Sequence, residues 1–195
     1  MYIELFDFRV INKMENVNFY PWVGANYENS MFGIKILILG ESHYAENDDE
    51  PDSDWTQHVV KHNAQDHPNA FFTKITKAVL GLYSEDELSE DTRSNFWEHV
   101  AFYNYVQGIV GESGRIRPTI EMWEESEKPF LAVIESLKPD VVIVLGSMLG
   151  EWVPALNDNI KVVYLYHPST GYFNYEGAIP AIKKAMDDAK RESNS

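Results

Sequence analysis

Side chains able to do chemistry collect at two points in the sequence, each directly after an apolar run. Residues 34–39, IKILIL, lead into Gly40-Glu41-Ser42-His43-Tyr44, which places an acid, a hydroxyl, an imidazole and a phenol in succession. Residues 161–166, KVVYLY, lead into His167-Pro168-Ser169-Thr170-Gly171. Such groups donate, accept or carry protons. A short continuous apolar run reads as a strand buried on both faces, the central strand of a parallel sheet. Ligands of open α/β sheets bind beyond the carboxyl ends of the strands, where both clusters then fall. Parallel strands align those ends, so Glu41 and His167 are expected to face one another across one crevice.

The elements that must position these groups follow from the rest of the chain. Pro21 and Gly24 mark an aromatic loop over 18–30, in which Tyr20, Trp22 and Tyr27 either cover a pocket or plug the end of the core. Residues 2–11 fit a strand or a short helix. Ser53 is a candidate cap for a helix through Trp55, Val59 and Val60; His58 and His62 lie four apart on it, with His67 soon after. Two histidines at that spacing without a matched carboxylate read as an exposed polar face sooner than as a metal site. Pro68 opens a second helix, carrying Phe72, Ile75, Thr76, Val79 and Tyr83 and ending near Gly81. Residues 85–94 are charged, irregular or short-helical. A strand or extended loop is predicted around 101–106, holding Asn104 among aromatic residues. Arg115 and Arg117 form a local basic spot, and Lys183 and Lys184 another. A helix over 119–138 carries Pro129, so a kink or break near Lys128 is expected. Residues 141–145, VVIVL, read as a second buried strand, 161–166 as a third, and Ser147 as the cap of a short helix between them. A closing helix runs over 179–190.

Strands alternating with helices predict an α/β fold: a three-layer α/β/α sandwich with a mainly parallel central sheet, in one domain over residues 1–195. The hydrophobic fraction of 44%, with 13% aromatic residues, argues for a folded globule. Sixteen basic against 31 acidic residues give a formal charge of −15, which disfavours strong sequence-independent binding to duplex DNA. No run is long enough to span a bilayer and no secretory signal is visible, so a cytoplasmic protein without membrane partners is expected. With no cysteine in the chain, disulfides and thiolate-held metal clusters are excluded. No cofactor is expected.

Three segments in order resemble the uracil-DNA glycosylase superfamily. Gly40-Glu41-Ser42-His43-Tyr44 is similar to that superfamily's first motif, whose better-known forms read GQDPYH or GEAPG. Phe102-Tyr103-Asn104-Tyr105-Val106 resembles the segment that supplies a pyrimidine-reading asparagine, and His167-Pro168-Ser169 the start of the second motif. The resemblance implies base flipping and cleavage of an N-glycosidic bond of a damaged pyrimidine in DNA, an activity of DNA repair. It gives Glu41 the role of stabilising the sugar cation or activating water. His167 would stabilise the departing base, and Asn104 would read the base edge. Tyr44 or Phe102 would stack on the base; Ser42, His43 and Ser169 complete the base-binding set; Tyr172 and Phe173 are candidate wedges. The aspartate and proline of GQDPYH are absent, and Glu41 sits at the glutamate of the GEAPG form. The implied partner is DNA, double- or single-stranded. A binding module for a nucleotide, base or other small ligand on the same fold is the alternative, and an interaction protein using its aromatic loops a third.

Overall fold

The computed structural model describes residues 14, 16–46, 49–112 and 116–193. The expectations for residues 2–11 and for Arg115 lie outside them. The described chain is a mixed α/β fold around one five-stranded sheet. Its strands are β1 (Trp22–Val23), β2 (Ile36–Gly40), β3 (Ala101–Asn104), β4 (Val141–Leu145) and β5 (Lys161–Leu165). They lie in the order β1-β3-β2-β4-β5, all parallel except β1, which runs antiparallel to β3 at one edge.

The lack of polar alternation in the strands has a direct cause, since β2, β3 and β4 are buried at every position. Ile36 and Ile38 join Val141, Ile143 and Leu145 in the core on one face, while Leu37 and Leu39 join Val142 and Val144 on the other. Helices cover both. The first face carries α1 (Trp55–Val60), α2 (Ala70–Leu80), α3 (Glu90–Trp97) and α7 (Tyr175–Ser193). The second carries α4 (Ile120–Glu125), α5 (Glu127–Leu137) and α6 (Ser147–Trp152). The chain therefore leaves β2 toward one face and its neighbour β4 toward the other. Diverging connections of this kind open a crevice at the strand ends.

Local signals account for several helix limits. Asn69 caps α2 by accepting from the Phe72 N–H, and Gly81 ends it in the left-handed conformation at φ 76°. Ser89 caps α3, so only the second half of the charged stretch is helical, running on to the buried Phe96 and Trp97. Tyr83 lies beyond α2 and is exposed. The helix expected over 119–138 breaks at Ser126, whose hydroxyl donates to the Met122 carbonyl and accepts from the Gln107 N–H. Pro129 is then the third residue of α5, where a missing N–H deprives no carbonyl of a partner. Two caps differ from expectation. Asp54, not Ser53, precedes α1, and the Ser53 carbonyl instead accepts from Tyr20. Gly146 rather than Ser147 precedes α6; its φ of 134° suits glycine alone.

After α1 the chain widens into a π-helical segment, Lys61–Asp66, in which the His67 N–H reaches the His62 carbonyl. The rings of His62 and His67 approach to 4.8 Å. Among the described residues no group of three or more side chains could hold a metal ion. Of the aromatic loop, Tyr27 is buried and donates to the Leu137 carbonyl, and the Trp22 indole donates to the Trp97 carbonyl. These two residues plug the core and do not cover a pocket. Gln107 ties several pieces together: it accepts from the Asn18 and Phe19 amides and the Asn18 side chain, and donates to Ser126 and to the Asn104 carbonyl. No helix among the described residues is long and apolar enough to cross a membrane.

Candidate functional site

Beyond the carboxyl ends of the parallel strands lies a cavity of about 840 Å³. Glu41, Ser42, His43, Tyr44, Phe102, Asn104, His167 and Ser169 all line it. Backbone pairing holds the first group in place. The Gly40 and Glu41 carbonyls accept from Tyr105 and Val106, and the His43 carbonyl accepts from Val110. The turn after β2 is thus fastened to the chain leaving β3, and Glu41 cannot move independently of Asn104.

Glu41 is nearly buried, with its side chain 10% exposed, whereas Arg117 is 71% exposed. The Arg117 guanidinium donates to both carboxylate oxygens, at 3.2 and 3.3 Å. His167 lines the same cavity, with its ring 5.1 Å from that of Phe71. Its Nδ1 accepts the Ser169 N–H at 3.2 Å, so the neutral ring carries its proton on Nε2. Burial pulls the His167 pKa below the ordinary histidine value, and the positive charges of Arg117 and Lys74 add to this. The ring is therefore a neutral donor at pH 7.

Asn104 ends β3 beside Gly40 of β2. Its amide nitrogen lies 3.0 and 3.3 Å from His43 Nδ1 and Nε2, against the ring face, and His43 Nε2 lies 2.9 Å from Thr56 Oγ1 on α1. His43 is 2% exposed, and burial pushes its pKa down to about 3, keeping the ring neutral. Phe19 packs edge-on against it at 5.3 Å. Gly40 is required by close packing: a methyl group there would collide with Asn104 Oδ1 and come within 3.0 Å of Phe102 Cζ. Ser42 donates to the Tyr44 hydroxyl at 3.1 Å.

The remaining lining is largely aromatic. Phe102 and Phe71 lie edge to face at 6.3 Å, and Tyr166 and Tyr172 stand exposed at the mouth, 5.6 Å apart. Of the two candidate wedges, Tyr172 lines the cavity. Phe173 instead packs beside Tyr175, with the Lys74 ammonium over its ring. Lys183 and Lys184 lie on α7 outside the cavity, and Lys184 pairs with Asp188. Sequence reasoning passed over Phe71, Thr56 and Tyr166. Phe71 carried a signal, since of two adjacent phenylalanines on a helix only one can face the core. Thr56 carried none.

No family model matches the chain, and no curated protein matches it.

Proposed function

We propose that the protein is a divergent uracil-DNA glycosylase-like enzyme on a three-layer α/β/α sandwich, hydrolysing the N-glycosidic bond of a pyrimidine base in DNA. One observation carries this reading: Glu41, Asn104 and His167, from the ends of three parallel strands, share one aromatic-lined cavity of about 840 Å³. Such a cavity has room for a base turned out of its strand. As the bond breaks, its electron pair passes to the base nitrogen and the sugar becomes cationic. The Glu41 carboxylate stabilises that cation and orients the water whose oxygen adds to the anomeric carbon. His167 Nε2–H donates to the base oxygen on which negative charge grows. Asn104 holds the base edge, while Phe102 and Phe71 supply flat apolar surface. The released base takes up the proton given up by water, so the products are a free base and an abasic sugar.

A single-turnover assay on uracil-containing single- and double-stranded oligonucleotides tests the proposal. Wild-type protein releases uracil, and Glu41→Gln and His167→Ala each slow release by roughly 100-fold or more. Absence of release, or release that survives both substitutions, overturns it.

The Glu41–Arg117 pair favours a second reading. A carboxylate held on both oxygens by a guanidinium, in a chain of formal charge −15, suits a module that binds a base or nucleotide without turning it over. Thermal stabilisation by such ligands with no base release would support that module in place of the enzyme.

A further inference from the structure

Arg117 holds Glu41 in an unsymmetrical way. Both carboxylate oxygens, at 3.2 and 3.3 Å, are engaged by the single nitrogen Nη1. A guanidinium is a planar fork whose Nη2 and Nε donate as well. Among the described residues those two nitrogens have no partner, and the side chain is 71% exposed. Arg117 is also the one lysine or arginine in the described lining of the cavity. Lys74, the other cation acting on His167, already donates to the Pro168 carbonyl and stands over the Phe173 ring. Charged donors that lack an acceptor are therefore concentrated at one point of the cavity, on a chain of formal charge −15. Their complement is an anion with oxygens set close together, and a phosphate group matches that fork in shape and charge. The cavity, at about 840 Å³, has room for more than a pyrimidine ring.

We infer that Arg117 is a phosphate-reading residue: with Nη1 kept on Glu41, it offers Nη2 and Nε to a phosphate on the ligand's sugar. The ligand class is then a pyrimidine nucleotide and not a free base or nucleoside. The inference rests on the proposed reading for the base and adds the group at the other end of the ligand. One guanidinium joined to both groups fixes the distance from phosphate to carboxylate, which places the sugar beside Glu41. It also offsets the repulsion that a bare Glu41 would exert on the phosphate. A lysine cannot do this. Its ammonium is a single point of charge, and once on Glu41 it has no second nitrogen to offer. The phosphate belongs either to a free nucleotide or to a link in a strand, since both present paired oxygens.

Calorimetric titration of the whole chain with deoxyuridine and with its 5′- and 3′-monophosphates tests this. Wild type is expected to bind one of the monophosphates roughly tenfold or more tighter than the nucleoside, the worth of a charge-assisted hydrogen bond. Arg117→Gln loses most of that ratio, and so does Arg117→Lys, which keeps the charge but not the fork. Arg117 is largely exposed, so neither substitution disturbs the core. No binding of the monophosphates, a ratio near one in wild type, a ratio that survives Arg117→Gln, or full retention in Arg117→Lys overturns the inference. A trinucleotide with uracil at its centre separates the two sources. Arg117-dependent binding as tight as that of the monophosphate assigns the phosphate to a strand, and much weaker binding assigns it to a free nucleotide. An Arg117-dependent ratio while no uracil leaves any oligonucleotide overturns only the glycosylase; uracil release without that ratio overturns only the inference.

Discussion

At Gly40 a single methyl group is enough to disturb the site. The residue sits in β2 against Asn104 Oδ1 and Phe102, and a Cβ there drives both away. Gly40→Ala is expected to destabilise the fold by about 1–3 kcal/mol in urea titration, the usual cost of overpacking. It is also expected to weaken any base binding through a displaced Asn104. His43 sets a pH dependence. Its pKa is about 3 folded against 6.5 for the free side chain, so the unfolded chain takes up a proton first as pH falls. Stability is complete above pH 6.5 and declines from there toward pH 3, by up to about 1.4 kcal/mol per pH unit for one group. His167, also lowered, acts in the same sense. Urea midpoints from pH 7 to pH 4 should fall less steeply in His43→Gln than in wild type; equal slopes would mean that His43 titrates normally. At this scale Glu41 and His167 were legible because each follows an apolar run. Thr56, bonded to His43, and Phe71, beside His167, come from α1 and α2, and only the folded chain brings them there.

Some helix ends were legible from a local signal, as with Gly81 at the end of α2, but the serine caps expected for α1 and α6 gave way to Asp54 and Gly146. Others were decided by a distant partner. The break between α4 and α5 falls at Ser126 because its hydroxyl serves Met122 and Gln107, and β1 exists only because Trp22 and Val23 lie beside β3. The π-helical segment buries Ala64 and Gln65, a demand of packing that no periodicity in 61–66 announces. One helix end remains under strain. Lys138 follows α5 in the left-handed conformation at φ 46°, a place glycine fills without penalty. Lys138→Gly is expected to raise stability by up to about 1 kcal/mol, seen as a higher melting temperature. A lower one would show that the lysine side chain contributes more than its backbone costs.

Over the whole molecule, the alternation of strands and helices was legible from apolar runs, but the order β1-β3-β2-β4-β5 was not, since it depends on which face each connection crosses. The charge of −15 also acts at this scale. Among the described residues, the cationic side chains that act on His167 are Arg117 and Lys74, and Lys74 is already engaged with the Pro168 carbonyl. Two phosphate contacts on a single strand correspond to a slope of log affinity against log salt near −1.4. Oligonucleotide binding should therefore weaken with salt no more steeply than roughly −1.5, and Arg117→Gln should flatten it further; a slope of −4 or beyond would require a basic surface elsewhere. Gln107 has a different kind of reach. Residues 18 and 19 belong to no helix or strand, yet both their amides end on one buried side-chain oxygen. Their hydrogens should exchange with deuterated solvent as slowly as those of the central strands, released only when the sheet itself opens. A protease would accordingly find no cut site there in the native protein, and Gln107→Ala would create one.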